Sequence, residues 1–258
     1  MIDDALYERL LSRIERADIL APSNVALLSP LSVSEREAFS RRSGIPVLYL
    51  GDEASTLIKC EEEAALKAAP RGYDLSVLNG VNVGCGGRLV SPYLIPVDIM
   101  RHAQGASGEH ASHTASAVLA APDDLPFKES SLDLIVALHM LEHIGDPVHL
   151  VRYWLSLLKP GGGLGIILPD WRYAWDARND TTRFGHKWNS SPELVRDIFE
   201  RELRGDCELE ALDTYELKAS FDVVLRKPGT CKPFTVDDLT ATPSGRELAA
   251  SGRFLHRD

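Results

Sequence analysis

The chain has 258 residues, 44% of them hydrophobic, which is enough to bury one sizeable core but small for two full domains. Its formal net charge of -10 disfavours a broad phosphate-binding surface, so nucleic acid is not an expected partner. No apolar run reaches the ~20 residues that span a bilayer, and the opening MIDDALYERLL lacks the basic-then-apolar order of a signal peptide. A cytoplasmic protein with no membrane partner is expected. The four cysteines, Cys60, Cys85, Cys207 and Cys231, form no CxxC pair, so free thiols are expected and no zinc knuckle.

In chain order, Asp3 to about Asp18 reads as an amphipathic helix, with Leu6, Leu10, Ile14 and Ala17 at helical spacing. The SVSEREAF stretch predicts a short helix capped by Ser32 or Ser34, and PVLYLG predicts a short buried strand ended by Gly51. Residues 1–70 are therefore expected to form a mostly helical N-terminal extension, which could cap the main domain, act as a lid or pair two chains in a homodimer.

From Val77 the pattern changes. VLNGVNVGCGG is a strand entering a glycine turn, YLIPVDI a second strand, SAVLAAP a weaker third, and LDLIVAL a fourth that is apolar enough to be buried on both faces. PVHLVRYWLSLLKPGG predicts a helix stopped by Pro160 and the glycines, followed by a fifth strand, GLGIILPD. SPELVRDIFERELR predicts a serine-capped helix, and CELEALDTYE and SFDVVLRKP two late strands that pair antiparallel at the sheet's edge. The expected class is α/β: a Rossmann-like, mostly parallel sheet with helices on both faces and an antiparallel edge pair, spanning 71–228. The polar stretch 229–258 is expected to be a loosely packed tail.

Two features point to a nucleotide-type cofactor. Glycines at a strand's end, in VNVGCGG, let a ligand approach the backbone, although a tight structural turn would look the same. Asp98, ending the next strand, could accept hydrogen bonds from both ribose hydroxyls, or could be a helix cap or a solvated strand end. A third constellation is more specific: DDLPFKESSLDLIVALHMLEHIGDP joins an LPF turn, a buried strand and an LEH segment, and a helix then leads to LLKPGGGLGIILPD.

The run from about Val81 to Asp170 resembles the class I S-adenosylmethionine-dependent methyltransferases, in the subgroup with an LPF turn, an LEH segment and an LKPGG turn. The resemblance covers roughly a third of the chain. It implies S-adenosylmethionine as the cofactor, with Gly84, Cys85 and Gly86 on its methionine and ribose part, Asp98 on the ribose hydroxyls, and Asp124 and Leu125 flanking adenine. Leu138 and His139 would stand beside the methionine moiety. The chain departs from the family where Arg88 stands for the third glycine and where only 13 residues separate Gly84 from Asp98, too few for a full crossover helix.

An oxygen or nitrogen acceptor often needs a base with a pKa near the working pH, and histidine fits best. His139 and His143 follow the fourth strand and are the expected catalytic residues, with a structural role the alternative for each. The segment WRYAWDARNDTTRFGHKWNSS follows the fifth strand, and Trp171, Trp175, His186 and Lys187 are expected to bind a small-molecule or glycan acceptor; the plainer reading is a loop packing its own aromatics. No metal site is expected, because the histidines between His102 and His113 match no ligand spacing. Two rivals to methyl transfer, with oxygen the expected acceptor atom, are a catalytically inactive methyltransferase-like binding subunit and a nicotinamide-dependent oxidoreductase.

Overall fold

The computed structural model describes residues 2–8, 11, 33–44, 54–86, 89–99, 118–172, 177–179, 185–214 and 220–231. Among these residues seven strands form one sheet: β1 (Gly80–Val83), β2 (Leu94–Asp98), β3 (Val118–Leu119), β4 (Leu132–Leu138), β5 (Leu158–Pro169), β6 (Glu208–Thr214) and β7 (Ser220–Arg226). Their order is β3-β2-β1-β4-β5-β7-β6. The first five pair in parallel, and β7 runs antiparallel to both β5 and β6. The Rossmann-like sheet with an antiparallel edge pair is therefore present. The connection from β1 to β2 holds no helix among its described residues, as its length requires.

Strand β4 is buried along its whole length because both faces are covered. Leu132, Ile135 and Ala137 face α3 (Pro147–Leu157) and α4 (Pro192–Glu202), whose Val151, Trp154, Val195 and Phe199 complete that core. Leu134, Val136 and Leu138 face the opposite way, toward Ala64 and Ala65 of α2 (Ala54–Leu66) and Ala68 just past its end. From Leu134 to Leu138 the alternation is the strand's two-residue period, and the register shift between Leu132 and Leu134 sets Leu132 on the other face. Helix α1 (Val33–Ser43) buries Phe39, which stacks against Tyr7.

Helix α2 falls in the segment read as an N-terminal extension, yet it packs on β4, β5 and β7. Its alanine face approaches β5 closely because Gly163 and Gly165 lack side chains: a Cβ at either would run into the Ala68 or Ala65 carbonyl. Two other boundaries differ from expectation. The helix predicted to run to Pro160 ends at Leu157, and LKPGG joins a 12-residue strand, since Gly161 and Gly162 pair with Lys227 beyond the end of β7. Of the predicted helix at 3–18 only the first turns are described, and the predicted PVLYLG strand, His102–His113 and Trp175 lie outside the described residues, as does the tail beyond residue 231. No helix among the described residues is long and apolar enough to cross a membrane.

Candidate functional site

Parallel pairing brings the C-terminal ends of β1, β2, β4 and β5 to one edge. Val83 lies beside Val97 and Ala137, and Leu138 beside Ile167. Gly84, Asp98, His139 and Asp170 each follow or end one of these strands, where open α/β sheets bind ligands.

The glycine turn after β1 has two sides. Gly84 and Gly86 both adopt left-handed backbone angles, with φ of 63° and 49°. A Cβ on Gly84 would lie 2.4 Å from the Met140 Cγ, whereas one on Gly86 would meet nothing within 4 Å among the described residues. One side is thus packed and the other faces open space. The Cys85 N–H donates to the Val97 carbonyl at 3.2 Å, tying the turn to β2. The Gly86 N–H donates to Asp98 Oδ2 at 2.8 Å. Two of the turn's amides are therefore engaged by the protein itself, and Asp98 is held at the mouth of the turn.

The LPF turn is fixed from α3. The Tyr153 hydroxyl accepts from the Leu125 N–H at 2.8 Å and donates to the Leu125 carbonyl at 3.2 Å. The Trp154 indole donates to the Pro122 carbonyl at 2.8 Å. Leu125 is buried and Asp124 is exposed, so this turn offers an apolar wall with a carboxylate at its rim.

Beyond β4 the chain kinks at His139, a non-glycine residue at φ 50°, a conformation costing about 1–2 kcal/mol in an L-residue. The kink turns its imidazole toward α2, where Nε2 lies 2.8 Å from Glu61 Oε1. The same oxygen accepts from the Ser220 hydroxyl at 2.7 Å, so α2, β4 and β7 meet at one buried carboxylate. His139 Nδ1 faces Glu142 Oε1 at 3.7 Å. Burial alone would lower the His139 pKa; the Glu61 and Glu142 carboxylates outweigh it and push the value up to about 10. Both ring nitrogens thus face carboxylates, which suits a positioning role better than that of a base. Sequence reasoning missed Glu61, although its place on the face of Ala64, Ala65 and Ala68 was a signal.

A short 3-10 turn at Leu141–His143 buries Glu142 and leaves His143 partly open. The loop after β5 returns here. The Lys187 N–H donates to the Glu142 carbonyl at 2.8 Å, and the Trp188 indole to the Leu141 carbonyl at 3.2 Å. His186 is thereby set against His143, edge to face, with ring centroids 5.0 Å apart. Glu142, His143 and His186 form one cluster.

The residues expected to bind the acceptor divide. His186 joins the cluster, and Lys187 is exposed beside it. Trp171 is half-buried, with the Arg178 guanidinium 5.5 Å from its ring centre. Arg172, beside Trp171, is held by Asp170 at 2.6 Å and Glu193 at 3.3 Å.

Residues 81–166 match the family model described as a methyltransferase domain. That span is the parallel half of the sheet with its glycine turn, LPF turn and LEH segment. Among curated proteins, the chain is similar to a ubiquinone biosynthesis O-methyltransferase of Ralstonia nicotianae, with 32% identity over 32% of this chain and 39% of that protein. It is also similar to the protein of that name from Xanthomonas campestris pv. campestris, with 30% identity over 33% and 40% of the two chains. The chain thus spans about two fifths of the length of the curated relatives it matches. Among solved structures, it overlays on a SAM-dependent methyltransferase from Methanosarcina mazei with a TM-score of 0.42 and 16% identity, covering 59% of this chain and 93% of that one.

Proposed function

We propose that this protein is an S-adenosylmethionine-dependent methyltransferase acting at an oxygen of a small-molecule acceptor. The observation that carries this reading is the turn at Gly84–Gly86. It is open on the Gly86 side and has the Asp98 carboxylate at its mouth, within a span matching a methyltransferase domain. The names of the curated relatives support oxygen as the acceptor atom.

The residues fit the cofactor. Asp98 would hold the ribose hydroxyls, the Gly84–Cys85–Gly86 backbone and Leu138 would line the methionine and ribose part, and Asp124 and Leu125 would flank adenine. When bound, S-adenosylmethionine supplies an electrophilic methyl group on a sulfonium. The chain's task is then to align the acceptor oxygen in line with that methyl and to remove its proton. His139, fixed between Glu61 and Glu142, positions the end of β4. The acceptor's proton would leave to solvent on the side of the Glu142–His143–His186 cluster, and Trp171 and Lys187 would line the acceptor side. A flat ring or a sugar fits such aromatic and polar donors.

The test is calorimetric titration with S-adenosylhomocysteine. Wild type is expected to bind, and Asp98→Ala to bind about 10- to 100-fold more weakly, the worth of hydrogen bonds to a charged group. Equal binding by the two proteins, or none by folded wild type, would overturn the reading.

A further inference from the structure

We infer that Glu142, His143 and His186 form a binding site for a divalent transition-metal ion. Two imidazoles and one carboxylate are a borderline-soft donor set, which favours zinc, cobalt, iron or manganese over magnesium or calcium.

Three observations converge on this site. The first is distance. Glu142 Oε1 lies 3.8 Å from His143 Nε2 and 4.0 Å from His186 Nε2. Both separations are too long for hydrogen bonds. Two donors bound to one ion at about 2.0–2.1 Å can stand no more than about 4.2 Å apart, and about 3.4 Å in a tetrahedral site. The two pairs therefore close on an ion by drawing in roughly half an ångström, within reach of a small rotation of the imidazole rings. All three donor atoms lie within 4.8 Å of one another.

The second is an unmet need. Glu142 is 1% exposed, yet among the described residues its buried Oε2 has no hydrogen-bond partner. A buried polar group left unsatisfied costs about 1–3 kcal/mol, and more when charged. A cation between the three side chains would neutralise the carboxylate.

The third is that the triangle is built from both sides. The 3-10 turn carries Glu142 and His143, and the loop after β5 carries His186. The Lys187 N–H bond to the Glu142 carbonyl and the Trp188 indole bond to the Leu141 carbonyl lock the two segments together. Donors held on backbone that is itself hydrogen-bonded are preorganised. His143 is the partly exposed edge of the cluster, and on that side a bound ion would keep a coordination position open.

If the proposed methyl transfer holds, an acceptor hydroxyl coordinated at that open position would become more acidic, its proton passing to solvent, with His143 acting as ligand rather than base. Binding itself does not depend on that reading, and the test is made without cofactor or acceptor. Untagged protein stripped with chelator is titrated with Co2+, reading the visible ligand-field absorption of nitrogen-bound cobalt, then with Zn2+ in competition. Wild type is expected to show a break at one equivalent that Zn2+ displaces. His186→Ala and Glu142→Gln are each expected to weaken it at least about tenfold. His149→Ala, exposed on α3, should leave it unchanged. Should His186→Ala fail to fold by circular dichroism, Glu142→Gln decides, since the amide keeps the side chain's shape. No break in wild type, or one unchanged in the folded variants, would overturn the inference.

Discussion

Strand β4 carries a buried carboxylate near each end, and the two are solved differently. At its start, Asp133 is fully buried and fully partnered. One oxygen accepts the Asn79 N–H at 2.9 Å, and the other faces the Lys159 ammonium at 3.2 Å and the Cys231 thiol at 3.4 Å. Burial pushes its pKa up, and the Asn79 N–H and Lys159 oppose that shift. Just past the strand's end, Glu142 is buried to nearly the same degree, with one oxygen among histidines beyond hydrogen-bond range and the other unpartnered among the described residues. The carboxylate at the start of the strand is thereby a structural one, and the one past its end is the carboxylate proposed above as a metal ligand.

Charge removal tests this contrast most strongly. Asp133→Ala strands Lys159 and the Asn79 amide, and it is expected to cost about 3–5 kcal/mol in urea unfolding, as breaking a buried pair does. Glu142→Gln removes a carboxylate that faces His139 only at 3.7 Å, so its unfolding free energy should fall much less, by about 1–2 kcal/mol, while metal binding weakens at least about tenfold. A small loss for Asp133→Ala beside a large one for Glu142→Gln would reverse the assignment of the two ends.

The glycine turn repeats the contrast over three residues. Gly84→Ala meets both the left-handed backbone and Met140, and should cost about 2–4 kcal/mol of stability. Gly86→Ala carries only the backbone strain of about 1–2 kcal/mol, but its methyl enters the open side of the turn. S-adenosylhomocysteine affinity, measured by calorimetry, should therefore fall further in Gly86→Ala than its stability does. Unchanged affinity there would mean that the open space is not the cofactor's.

What the sequence made legible follows the same division. LDLIVAL and VNV are mostly apolar segments buried on both faces, so they announced the central strands, and the late CELEALDTYE and SFDVVLRKP segments announced the edge pair. Asp98 was legible because its place is local, at the end of its own strand. The polar cluster was not, because its members come together only through the sheet. Glu61 stands 78 positions before His139, and His186 reaches Glu142 from the far side of β5. Ligand spacing read along the chain finds donors on one turn or one helix, so it found no metal pattern here. Helix α2 was misleading for another reason: its core face is alanine, and a small-residue face matched to glycines on a strand carries little hydrophobic signal.

A third carboxylate sets the scale for the other two. Glu210, on the edge strand β6, pairs with Arg226 at 2.8 Å while keeping contact with solvent. The hydrogen bond from Arg226 holds its carboxyl below the ordinary value, with burial opposing. A depressed folded value means that the pair's stabilisation is complete above the unfolded pKa of about 4.3 and is lost as pH falls through the folded value. A rim pair of this kind contributes no more than about 1 kcal/mol. Glu210→Gln should therefore unfold in urea almost as wild type does near neutral pH. It should also lose slightly less stability than wild type as the pH is lowered toward about 3. A cost of several kcal/mol at neutral pH would place Glu210 with Asp133 among the structural carboxylates. The small effect expected here follows from water standing in for the missing partner, which the buried ends of β4 do not allow.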